Sequence, residues 1–214
     1  RHKMSNNKTK ARLIIFSAPS GTGKSSLIKE VIDLSSNNIE LSISATTREP
    51  RDKEIHGKDY FFISDEEFNN LKDNDAFIED ATVHGYQYGT LKSFVDEKIL
   101  EGIDIILDID VQGFNQIENS NIDNLSIFVI PPSLNELRNR LLLRGSDTSD
   151  AIEERLANAE KELEFAESFD YLVLNDKFDE TIKELSSIIF DENHEYNRDY
   201  NLNILRNLLD KKVN

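Results

Sequence analysis

A chain of 214 residues, 38% of them hydrophobic, is long enough for one α/β folding unit with a sizeable core and an insertion or two. Its 41 acidic against 25 basic side chains give a formal charge of −16. That excess makes nucleic acid and anionic membrane poor partners, so an anionic ligand must meet a local basic pocket. Cysteine is absent, which rules out disulfides and thiolate metal sites. The apolar runs are too short to span a bilayer and the sequence starts polar and basic, so a reducing, cytoplasmic setting is expected.

The first element is a strand, Leu13-Ile14-Ile15-Phe16, and it runs into Ala18-Pro19-Ser20-Gly21-Thr22-Gly23-Lys24-Ser25-Ser26. The apolar spacing of Leu27-Ile28-Lys29-Glu30-Val31-Ile32 then suits a helix. Strand, glycine turn and helix start form a phosphate cradle: Ser20, Gly21, Thr22 and Gly23 turn their N–H groups inward, and the helix adds its positive dipole end. Lys24 is placed to reach β- and γ-phosphates and Ser25 to hold Mg²⁺, with Ser26 the next residue of the cradle. Ala18 stands where the strict motif has glycine, which requires a negative φ there.

Ile39 to Ala45 alternates apolar and polar residues as a second strand and delivers Thr46-Thr47-Arg48-Glu49-Pro50-Arg51. Two arginines three apart across a proline can present two guanidinium forks to one phosphate, or pair with surface carboxylates. A turn into a strand follows at Ile55–Ile63, then a capping box at Ser64-Asp65-Glu66-Glu67 that starts a short helix. Residues 76–90 read as a small β element with a glycine-bearing turn. A helix from about Ser93 stops at Gly102, and Ile103 to Asp110 is the strongest candidate for a buried strand. That strand is expected to carry Asp108 and Asp110 on one face near its C-terminal end, where open α/β sheets bind ligands. Leu125–Ile130 is a further buried strand, closed by Pro131-Pro132, and Ser133 with Glu136 caps the next helix. That helix bears Arg138, Arg140 and Arg144. A polar break at 145–149 precedes a long charged helix to about Phe169 bearing Arg155, a pattern that suits either a hinged lid or a solvated hairpin in which Glu136 pairs with Arg140. A short strand at Tyr171–Asn175 and helices at about Asp179–Phe190 and Leu202–Lys211 complete the chain, the helices as packing elements.

The stretches 17–25, 44–51, Gly57-Lys58-Asp59-Tyr60, Phe77-Ile78-Glu79, Tyr88-Gly89-Thr90 and 107–113 together resemble the guanylate kinase family of nucleoside monophosphate kinases. The resemblance runs from about Leu13 to Asn175. It implies a P-loop-type parallel sheet flanked by helices over 4–44 and 93–214, an inserted GMP-binding region over 45–92, and a helical lid at about 140–155, all in a single folding unit. It implies that Arg48, Arg51, Tyr60 and Tyr88 hold the phosphate of GMP, that Ser44, Glu79, Thr90 and Asp110 read the guanine, and that Arg140, Arg144 and Arg155 close over the phosphates of ATP. Residues 20–26 would bind ATP, and Mg²⁺ would be held by Ser25 and Asp108, in part through water. The substrates would be the small-molecule nucleotides GMP (or dGMP) and ATP, in purine metabolism. Two alternatives stay open at this level: an inactive protein-interaction module of the same fold, and a kinase of another nucleoside monophosphate.

Overall fold

The computed structural model describes residues 11–36, 38–83, 85–143, 148–191 and 194–210. In chain order the elements are β1 (Leu13–Ser17), α1 (Lys24–Leu34), β2 (Ile39–Leu41), β3 (Ala45–Thr46), β4 (Phe61–Phe62), α2 (Asp65–Asp73), β5 (Phe77–Val83), β6 (Tyr86–Leu91), α3 (Lys92–Glu101), β7 (Asp104–Asp108), α4 (Val111–Asn119), β8 (Leu125–Ile130), α5 (Leu134–Leu143), α6 (Ser149–Glu164), β9 (Tyr171–Leu174), α7 (Phe178–Phe190) and α8 (Arg198–Asp210). Five strands form a sheet in the order β2-β7-β1-β8-β9, parallel throughout.

Period-two alternation decides what each face of that sheet packs against. Leu13, Ile15, Ile105, Leu107, Phe128 and Ile130 point to one side, where Val95 of α3, Phe114 of α4, Leu163 of α6 and Leu205 of α8 meet them. Ile14, Phe16, Ile106, Ile127 and Val129 point to the other, against α1 and α7. Helices on both faces bury the middles of these strands, which is why they read as continuous apolar runs. Phe114 stacks on Phe169 with ring centroids 3.8 Å apart, and both are buried.

A second, four-stranded sheet in the order β4-β3-β6-β5 lies between β2 and α3 in sequence. Its core is Ala45, Phe68 and Phe77, with the last two rings stacked at 4.5 Å. The expected single strand over 39–45 is in fact two strands, β2 in the first sheet and β3 in the second. The hand-over occurs across Ser42–Ser44: the N–H of Ser42 still donates to Ile106 of the first sheet, whereas the carbonyl of Ser44 already accepts from Phe61 of the second. Alternating side chains continue across this break, so the pattern alone does not reveal it.

Side-chain caps set the start of three of the described helices. Ser64, Asp110 and Thr148 cap α2, α4 and α6 through the backbone N–H groups of Glu67, of Gln112 and Gly113, and of Ala151. The helix α4 was not expected; the residues 108–110 that read as strand end at Asp108, and Asp110 is a helix cap. Positive φ at Gly102 closes α3.

β9 is an edge of the first sheet, and its outward backbone groups are closed by the last quarter of the chain. The Leu172 N–H donates to the Tyr196 hydroxyl at 2.6 Å, and that hydroxyl and Asn201 Nδ2 donate to the Leu172 carbonyl at 3.0 and 2.6 Å. Arg198 donates to the carbonyls of Phe169, Asp170 and Glu167, and Thr181 to that of Leu174. Among the described residues no helix is long and apolar enough to cross a membrane.

Candidate active site

Between β1 and α1 the chain turns through Gly21 at φ 91° and Gly23 at φ 98°, a region costly for any side chain with a Cβ. Ala18 is not among the residues with positive φ, as its place in the motif requires. Inside the turn Thr22 is buried and its hydroxyl donates to the Pro19 carbonyl at 2.7 Å. The carbonyl of Thr22 accepts from Asn175 Nδ2 at 2.6 Å, so the loop is latched to the end of β9. Lys24 Nζ lies 2.5 Å from Asp108 Oδ1 and 3.5 Å from the carbonyl of Ile109. The register that pairs Phe16 with Asp108 brings the end of β7 beside the loop and makes that ion pair possible.

A cavity of about 330 Å³ lies over this turn, lined by Ser20, Gly21, Gly23, Lys24, Ser25 and Ser26 among others. Glu162 of α6 also lines it. Its Oε2 is buried without a hydrogen-bond partner, and burial pushes its carboxyl up to about 7 against the pull of Lys24. A second cavity of about 370 Å³ lies on the outer side of the turn, between Gly21–Gly23, Arg140, Leu143 and Phe178.

The loop after β3 presents a guanidinium. Arg48 is held by Glu54 and lies 5.4 Å from the centre of the Tyr60 ring and 5.8 Å from that of Phe62. Tyr60 lies against Arg48 and is edge-on to Tyr88 at 6.1 Å, so three of the four residues expected at a nucleotide phosphate form one cluster. Arg51, the fourth, is exposed, and Ser44 is partly exposed between β2 and β3.

Glu79 on β5 is buried, and the Thr90 hydroxyl of β6 donates to its Oε1 at 2.6 Å. Loss of solvent pushes its carboxyl up to about 7, with the hydrogen bond from Thr90 opposing and the charges of Asp110 and Asp80 adding to the rise. Gly113 permits the close approach of α4: a Cβ there would come 2.9 Å from Glu79 Oε2.

Arg140 on α5 both pairs with Glu136, at 2.9 Å, and reaches the Thr22 carbonyl at 3.3 Å, so the pair does not confine it to solvent. Arg138 bonds Glu153 and ties α5 to α6, whose shared core is Leu137, Leu141, Ile152, Leu156 and Ala159. Arg155 is partly buried on α6, and Arg144 lies outside the described residues. Three polar residues of the site were not anticipated from the sequence: Glu54, Glu162 and Asn175. For Glu162 a signal exists, since it lies seven residues after Arg155 and therefore on the same helical face.

A parallel sheet with a glycine cradle between β1 and α1 and a lysine at the start of that helix defines a P-loop protein. The comparisons make this particular. The family model described as guanylate kinase matches residues 10–192. A guanylate kinase of Polaromonas sp. is 45% identical over 177 residues, covering 83% of this chain and 85% of its own. One of Caldanaerobacter subterraneus subsp. tengcongensis is 40% identical over 195 residues, covering 91% and 94%. The crystal structure of guanylate kinase from Anaplasma phagocytophilum superposes with a TM-score of 0.67 at 30% identity, covering 96% of each chain. The chain belongs to the guanylate kinase family.

Proposed function

We propose that the protein transfers the γ-phosphoryl group of ATP to GMP, giving ADP and GDP, in cytoplasmic purine metabolism. The observation that carries this reading is the buried carboxylate of Glu79, braced by Thr90 in the same small sheet that bears Tyr88. Guanine offers N1–H and N2–H₂ as adjacent donors, and a carboxylate accepts both, whereas adenine would set a lone pair against it. A buried acceptor left unpaired is penalised strongly enough to support discrimination of roughly 10⁴-fold. Thr90 gives its proton to Glu79, so the donor to guanine O6 is assigned to the hydroxyl of Ser44, and Asp110, capping α4, supports the base site from beside Glu79.

The chemistry needs little from a general base, because the attacking phosphate oxygen of GMP is anionic near neutral pH. Arg48, Arg51, Tyr60 and Tyr88 hold that phosphate and screen its repulsion from ATP. Lys24 and the backbone N–H groups of the glycine turn hold the phosphates of ATP, and Arg140, Arg144 and Arg155 spread the charge that develops during transfer. The α5–α6 hairpin serves as a lid that keeps water from taking the phosphoryl group. The residues also suit Mg²⁺: the Asp108 carboxylate and the Ser25 hydroxyl are hard oxygen donors beside the cradle. Magnesium bound there would supply charge neutralisation along the polyphosphate.

The test is ADP formation from ATP and Mg²⁺ with GMP, dGMP, AMP, CMP, UMP, dTMP or no acceptor. Turnover confined to the guanine nucleotides is expected. Preference for another monophosphate would overturn the assignment of Glu79, and no turnover from a folded, GMP-binding protein would make it an interaction module.

A further inference from the structure

Glu54 follows Arg51 by three residues in the loop that joins β3 to β4, and both of its carboxylate oxygens are engaged. Oε1 accepts from Arg48 Nη2 at 2.9 Å; Oε2 accepts from Arg48 Nη1 at 3.0 Å and from the backbone N–H of Arg51 at 2.7 Å. Arg48 Nη1 also donates to the carbonyl of Glu49 at 2.8 Å. A guanidinium has five N–H groups in a fixed plane. The fork with Glu54 consumes one hydrogen from each Nη, and the Glu49 carbonyl takes the second from Nη1. What remains is Nε–H and the second hydrogen of Nη2, two parallel donors along one edge. That edge fits two oxygens of a single phosphate.

The geometry is that of a built support. The side chains of Arg48 and Glu54 are 10% and 19% exposed, and the Tyr60 and Phe62 rings fix the plane of the guanidinium. A carboxylate beside an anion site weakens the site's attraction, so its presence needs a compensating role. Orientation supplies one: an arginine already fixed loses less side-chain entropy on binding than a mobile one. We propose that Glu54 is a positioning residue for the phosphate of the acceptor nucleotide, holding Arg48 with its Nε–Nη2 edge outward and tying the Arg51 backbone to the same carboxylate. The inference rests on the guanylate kinase reading, which supplies that phosphate.

The experiment is initial-rate kinetics on the full chain with Glu54→Ala and Glu54→Gln, varying GMP and ATP in turn, with guanosine as a competitive inhibitor and thermal unfolding alongside. Glu54→Ala is expected to raise KM for GMP roughly 10–100-fold, while kcat and KM for ATP stay within about 3-fold and inhibition by guanosine, which has no phosphate, is unchanged. Glu54→Gln keeps one oxygen for Arg48 and the Arg51 N–H, and recovers part of the loss; it also serves if the alanine variant does not fold. An unchanged KM for GMP in both variants overturns the proposal. A lowered KM overturns it too, by making Glu54 a stand-in that the phosphate must displace, and so does a parallel loss in both substrates with a lowered melting temperature. Failure of the unsubstituted protein to use GMP would instead remove the functional reading itself, before any variant is compared.

Discussion

Glu79 combines burial with charge, and its consequences run in two directions. Its carboxyl is pushed up from 4.5 to about 7, so the folded protein binds this proton more tightly than the unfolded chain does. The stability this contributes is fully present below about pH 4.5 and is lost as pH rises towards about 7, by up to roughly 1.4 kcal/mol per pH unit. Glu79→Gln, which can still accept from Thr90, is therefore expected to stabilise the ligand-free protein at pH 8 by about 1–3 kcal/mol and to leave it unchanged at pH 4.5. Chemical denaturation at the two pH values checks this. Binding of guanine demands the opposite state: KM for GMP should fall as pH rises from 6 to 8 in the unsubstituted protein, and the glutamine variant should lose both that dependence and its preference for GMP over AMP. The same logic separates what could be read in sequence from what could not. Lys24, Arg48 and Tyr88 announce themselves, because glycines, arginines and tyrosines close to one another in the chain have few purely structural uses. Glu54 and Glu162 do not, because in so acidic a chain one carboxylate resembles another until burial and partner are known.

Among the elements, the turn between β1 and α1 is held from outside as much as by its own glycines. Asn175 Nδ2 donates to the Thr22 carbonyl, Asn175 Oδ1 lies 3.2 Å from the Thr181 hydroxyl oxygen, and a Cβ on Gly23 would come 2.9 Å from that same Nδ2. Asn175→Ala takes from the Thr22 carbonyl its closest donor and leaves it the longer contact with Arg140 at 3.3 Å, and is expected to cost about 1–3 kcal/mol of stability and to raise KM for ATP more than KM for GMP. Urea unfolding and two-substrate kinetics measure both. This latch spans 153 residues, and no local pattern encodes it. Local patterns did encode most of the buried strands, the glycine that closes α3 and the serine that caps α2, since each depends on neighbours in sequence. They failed where two periodicities overlap: Val111, Phe114 and Ile117 carry the helical spacing of α4, but the alternation of Asp108-Ile109-Asp110 runs into it and disguises the cap.

At the scale of the whole molecule, the order β2-β7-β1-β8-β9 leaves two open margins, one of them the three-residue β2. The other is β9, where Tyr196 and Asn201 occupy the outward N–H and carbonyl of Leu172 while Arg198 holds the carbonyl of Asp170 just before the strand. Tyr196→Ala combined with Asn201→Ala is expected to cost about 2–4 kcal/mol and to make the protein's sedimentation depend on concentration. A variant that loses stability but sediments as before would limit these residues to packing. Side chains that satisfy a strand from its flank also deny it to any other strand. The sheet thus ends because its own chain fills the position the next strand would take, and a catalyst made of flat, sticky ribbons is kept from templating copies of itself.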